Sequence, residues 1–114
     1  MKYLAIISSL LSILLLAAPA PADNHNASQK AVFITGATTG IGRATAEHLA
    51  AAGYFVYAGA RKDADMEALN KIDNIMAVRL DVTRQDHVDA AVRLIEDQGR
   101  GLWGLVNNAG VNVF

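Results

Sequence analysis

Four groups of residues in this chain could act together chemically, and the first is a cluster of glycines. Gly36, Gly40 and Gly42 follow the apolar, β-branched run Ala31-Val32-Phe33-Ile34 and precede a helix-like pattern from Arg43 to Ala52. Strand, glycine turn and helix N-terminus together make an anion site. The unpaired N–H groups of the first helical turn and the helix dipole both favour negative charge there. Gly36, Ala37, Thr38, Thr39, Gly40, Ile41 and Gly42 are therefore the candidate phosphate cradle. Their glycines have separable tasks: a tight turn, close backbone approach to a phosphate, and close helix–strand packing. No Gly-Lys-Ser/Thr follows, so this is not a Walker loop, which argues against an ATPase or kinase. The other groups close later apolar runs: Arg61-Lys62, Asp81-Val82-Thr83 and Asn107-Asn108-Ala109-Gly110. Alone, each would be a solvated strand end, a loop carboxylate or a turn; position after a strand is what promotes them.

An alternating set of elements must position these groups. Residues 30–35 read as a first strand without polar alternation, as expected of a strand covered on both faces. Residues 41–52 read as an alanine-rich helix, with Ile41, Thr45, His48, Leu49 and Ala52 at near-helical spacing and Gly53 ending it. Residues 54–60 form a second, aromatic and β-branched strand. Residues 61–65 break it, before a short helix over 66–70. A third strand spans 75–80, and Thr83 with Asp86 resembles a capping box. The next helix places Val88, Ala91, Val92 and Ile95 on one face and closes at Gly99. A fourth strand spans 101–106. The order βαβαβαβ calls for a parallel sheet with helices on its faces.

Composition narrows the function classes. A chain of 114 residues suggests at most one domain. Its 10 basic and 11 acidic residues leave no basic face for a nucleic acid. There is no cysteine, and His25, His48 and His87 fit no metal-ligand spacing, so no metal site is expected. At the N-terminus, Met1-Lys2 precedes an apolar run over 3–18, broken only by Ser8, Ser9 and Ser12, and then small residues and prolines up to Asp23. Residues 1–22 read as a secretory signal peptide cut before Asp23, or as an N-terminal membrane anchor through 3–18. The run is shorter than the roughly 20 residues of an ordinary spanning helix. With Lys2 inside, both readings place the domain on the far side of the membrane, exported or anchored there. A start codon set too far upstream, leaving a cytoplasmic protein, is the alternative. Residues 23–29 are a polar linker, and 30–114 carry the domain.

Thr35-Gly36-Ala37-Thr38-Thr39-Gly40-Ile41-Gly42 resembles the cofactor motif of the short-chain dehydrogenases/reductases. Asp81-Val82-Thr83 and Asn107-Asn108-Ala109-Gly110 are similar to that family's next two landmarks, in order and at the expected strand ends. The resemblance covers residues 30–114. The glycine spacing separates the chain from the family's extended, sugar-nucleotide-modifying branch. It implies a Rossmann-type α/β fold, a parallel sheet with flanking helices, truncated after the fourth strand with order 3-2-1-4. It further implies that residues 36–42 cradle the pyrophosphate and adenosine ribose of a nicotinamide dinucleotide. Asp81 would meet the adenine amino group and the Val82 backbone would line the same pocket. Asn107 would tie the central strand, while Asn108, Ala109 and Gly110 pass beneath the ribose.

In such folds an acid at the end of the second strand binds the ribose 2′-OH and selects NAD, whereas a basic residue accommodates a 2′-phosphate. Ala60 stands where the acid would be, followed by Arg61 and Lys62. NADP(H) is therefore the expected cofactor, with NAD second. The family's catalytic tyrosine, lysine and serine all lie downstream of the Asn-Asn-Ala-Gly landmark. Tyr3, Tyr54 and Tyr57 have no lysine at the required spacing, so no catalytic residue is assigned. The expectation is the cofactor-binding half of an NADP(H)-dependent oxidoreductase interconverting an alcohol and a carbonyl, on a fragment of a longer product. A non-catalytic dinucleotide-binding sensor or scaffold, or a non-functional truncated product, is the alternative. Residues 101–110 look like the branch acting on retinoids, hydroxysteroids and 3-hydroxybutyrate, which points to a small, lipophilic substrate. Homo-oligomers are expected only of the complete protein. An exposed edge at Leu102, Trp103, Leu105 and Val106 is expected to be prone to aggregation.

Overall fold

Apolar runs without polar alternation become strands buried on both faces, and the stretches between them become helices. The structure is a computed structural model that describes residues 29–110. The signal or anchor segment 1–22, linker residues 23–28 and residues 111–114 lie outside the described residues. Within them the order is β1 (Ala31–Ile34), α1 (Gly40–Ala51), β2 (Phe55–Ala60), α2 (Asp63–Asn70), β3 (Ile75–Arg79), α3 (Gln85–Gln98) and β4 (Gly104–Val106). The strands form one parallel sheet in the order β3-β2-β1-β4, the Rossmann-type arrangement expected from the sequence. Ile34 pairs with Ala58 and with Val106, and Ala60 with Arg79, so the C-terminal ends of all the strands reach one edge of the sheet. In open parallel sheets that edge is where ligands bind. Among the described residues no helix is long and apolar enough to cross a membrane.

Each face of the sheet has its own core. Val32, Ile34, Val56, Ala58 and Ala77 meet Ala46 and Ala50 of α1 and Leu69 of α2 on one side. Phe33, Tyr57, Val78 and Leu80 meet Ala91 of α3 on the other, with Val88, Leu94 and Ile95 packed around them. Tyr57 is fully buried, stacked on Phe33 and edge-on to Phe55, and its hydroxyl has no hydrogen-bond partner among the described residues.

Several local expectations differ from what the chain does. The buried stripe of α1 is Gly42, Ala46 and Ala50, while Ile41 and His48 are exposed. Small side chains at that spacing let the helix lie close on the sheet. Helix α2 begins at Asp63, not Met66, because Asp63 and Asp65 occupy its first turn, where the dipole favours acids. The Thr83–Asp86 capping box does not form: Arg84 is the N-cap of α3, with no side-chain cap, and Thr83 turns back to Asp81. In α3, Val92 is exposed and Leu94 packs in its place. Strand β4 is shorter than expected, starting at Gly104 rather than Gly101.

Candidate functional site

At the C-terminal edge of the sheet the turns after β1, β2, β3 and β4 surround one cleft of about 260 Å³. Of the residues expected at the site, Gly36, Thr38, Thr39, Arg61, Asp81, Val82, Asn108, Ala109 and Gly110 line it. Gly59, Ala60 and Leu80, the strand ends between those turns, line it too. Ala37, Gly40, Ile41, Gly42 and Lys62 are outside the lining. Ala37 is buried and donates its N–H to the Gly59 carbonyl at 3.0 Å, which ties the glycine turn to the end of β2. Ile41 is 79% exposed. Lys62 is the N-cap of α2.

Two glycines are required by geometry. Gly36 has φ +63°, and a Cβ there would press on the Ala109 backbone at 3.0 Å. Gly42 has an ordinary backbone, but a Cβ would collide with the Gly36 carbonyl oxygen and Asn108 Nδ2. The turn and the first coil of α1 are thus packed directly on the β4 end. Thr39, the N-cap of α1, makes no side-chain cap bond, and the first turn contains no acid. Its amide donors are left for an anion, and no acidic side chain of that turn opposes one.

Thr35, which sequence reading placed in a strand and gave no role of its own, holds the cleft together. Its N–H donates to the Val106 carbonyl at 3.0 Å. Its Oγ1 accepts from the N–H groups of Asn108 and Ala109, both at 3.0 Å. Asn108 Nδ2 then donates to the Gly36 carbonyl at 3.0 Å. The tie expected of Asn107 is made by Thr35 and Asn108, and Asn107 is exposed. Only a long-range contact reveals this, so local spacing held no signal for it.

Asp81 faces the cleft from the end of β3. Its Oδ1 accepts from the Thr83 hydroxyl at 2.6 Å and the Thr83 N–H at 2.9 Å. These two bonds hold its carboxyl below the ordinary carboxylate range; desolvation opposes them, and the nearby charge of Arg61 adds to the effect. The Asp81 N–H donates to His87 Nδ1 at 3.0 Å, which anchors the turn to α3 through the unprotonated ring nitrogen.

A parallel sheet with a glycine turn, an uncapped helix N-terminus and an ionised carboxylate around one cleft defines a Rossmann-type α/β protein. A sequence profile described as short chain dehydrogenase matches residues 30–114, and the chain belongs to that family. It is 40% identical over 95 residues to the mitochondrial D-beta-hydroxybutyrate dehydrogenase of Bos taurus, a match covering 75% of this chain and 28% of that protein. Retinol dehydrogenase 16 of Homo sapiens is 40% identical over 88 residues, covering 74% and 28%. These relatives and the hydroxysteroid dehydrogenases beside them place the chain with the branch its sequence resembles. Among solved structures, menthone neomenthol reductase from Mentha piperita matches with a TM-score of 0.69 at 31% identity, covering 75% of this chain and 33% of that one. The chain spans under a third of the length of the curated relatives it matches first.

Proposed function

We propose that this chain forms the adenosine-binding part of an NADP(H)-dependent oxidoreductase that interconverts an alcohol and a carbonyl. The observation that carries this reading is the meeting of the glycine turn, Asp81, Asn108 and Arg61 around one cleft, with Ala60 at the strand end where an acid would select NAD. At about 260 Å³ the cleft is smaller than the roughly 300–1,000 Å³ of a typical ligand pocket, which suits one end of a dinucleotide rather than all of it. The residues fit that end. The α1 N-terminus would hold the pyrophosphate, Asp81 and Val82 the adenine, and Gly36 and Asn108 the underside of the ribose. Arg61 would take the 2′-phosphate through charge-assisted hydrogen bonds. When bound, the nicotinamide supplies hydride transfer; the residues named here bind and orient the far end of that molecule.

The names of the hydroxybutyrate, retinol and hydroxysteroid dehydrogenases support a small, lipophilic alcohol or carbonyl substrate. The leader at residues 1–22 supports delivery across or onto a membrane. Titration of the chain with NADPH and NADH by calorimetry tests the cofactor reading. NADPH is expected to bind about tenfold tighter or better, with Arg61→Ala removing most of that margin. Equal NADPH affinity in wild type and variant would refute the assignment to Arg61.

A further inference from the structure

A third cation reaches the turn that carries Arg61. Arg79 ends β3 and pairs with Ala60 in the ladder, so it stands beside the strand end that sets cofactor choice. Its guanidinium spans the turn: Nη1 donates to the Arg61 backbone carbonyl at 2.7 Å, and Nη2 pairs with Asp63 Oδ1. A planar fork can hold two acceptors in this way, whereas an ammonium acts as a point charge. Arg61 lines the cleft, and its guanidinium makes no ion pair among the described residues.

Two carboxylates stand near Arg61: Asp81 lines the cleft and is held by Thr83, whereas Asp63 belongs to the turn itself and conflicts with an anion there. Asp63 sits two residues beyond Arg61, at the first position of α2, where the helix dipole favours its charge. A carboxylate so close would oppose any phosphate that Arg61 held. Its pairing with Arg79 offsets that charge. Stability does not explain the pair, since the side chains are 43% and 82% exposed and exposed ion pairs contribute little. The consequence falls on the field at the cleft mouth and on the path of the turn.

We infer that Arg79 is a specificity-determining positioning residue: it masks the Asp63 carboxylate and grips the Arg61 backbone, so that a 2′-phosphorylated adenosine meets Arg61 without opposition from Asp63. This rests on the NADP(H) reading above. Adenosine 2′,5′-bisphosphate and 5′-AMP are the probes, because both need only the adenosine end of the site. Both are titrated at low ionic strength, where screening is weakest. The wild-type chain binds the bisphosphate more tightly. Arg79→Gln weakens the bisphosphate about tenfold and 5′-AMP less than about twofold, and adding Asp63→Asn restores most of the loss. Arg79→Lys keeps the charge but not the fork and loses part of the preference; it carries the test if the glutamine variant does not fold.

A glutamine variant that loses both probes alike, or neither, overturns the proposal. So does a double variant as weak as Arg79→Gln, or an unchanged preference in Arg79→Lys. Equal binding of the two probes by the wild-type chain would remove the NADP(H) reading and this proposal together. Discrimination that survives in wild type and Arg79→Gln alike removes this proposal only.

Discussion

Asp81 is kept ionised by a residue two positions further on. Thr83 supplies both a hydroxyl and an N–H to one carboxylate oxygen, and both bonds are stronger to the charged form. The folded carboxyl is therefore depressed relative to the unfolded one. The stability it contributes is present above the ordinary carboxylate range and is lost as pH falls through the depressed folded value. Thr83→Val should move the Asp81 titration back up toward the ordinary range, followed by carboxylate carbon NMR. The stability difference between wild type and variant should be widest near neutral pH and close in acid. An unchanged Asp81 titration would show that Thr83 is not its main partner. The same pair shows why spacing misleads at this scale. Thr83 and Asp86 have the separation of a capping box, but the hydroxyl finds a carboxylate nearer by, and α3 starts at Gln85 behind an uncapped Arg84.

At the scale of elements, one threonine joins β1 to the turn after β4. Thr35→Val preserves shape while removing the acceptor shared by the Asn108 and Ala109 amides. We expect a loss of about 1–2 kcal/mol in urea unfolding, with faster amide exchange across β4. Unchanged exchange in residues 104–106 would argue that the backbone ladder alone holds the strand. The alternation of strands and helices was legible because each strand is a continuous apolar run and each helix ends at or beside Gly53, Asn70 or Gly99. The cradle was legible for the same local reason: its glycines are close in sequence. The stripe Gly42, Ala46 and Ala50 was not legible, because alanines occur on every face of α1 and hydrophobic periodicity cannot tell which one is buried. Asp63 and Asp65 read as a break because polar residues carry no apolar period, though they suit a helix start. Thr35 was beyond local reading, with its partners more than seventy residues away.

At the scale of the whole molecule, the described sheet is covered on both faces, and β4 at its edge is a short strand with exposed apolar side chains. Trp103 is 62% and Leu105 56% exposed, at and beside β4. Such an edge favours pairing with another chain. Leu105→Lys should lower self-association in sedimentation runs across a concentration series and leave the fold intact by circular dichroism. Association that does not respond would place the sticky surface elsewhere. The hydrogen bond from Asn108 to Gly36 closes the cleft across 72 residues of sequence. During synthesis the glycine turn is made early, yet its carbonyl and the Thr35 hydroxyl stay wet until Asn108 has emerged. At about 5–20 residues per second that gap lasts roughly 4–14 s. The cleft therefore has a birth time set by the arrival of the β4 turn, and under the proposed function a nascent chain would gain affinity for cofactor only once β4 has docked.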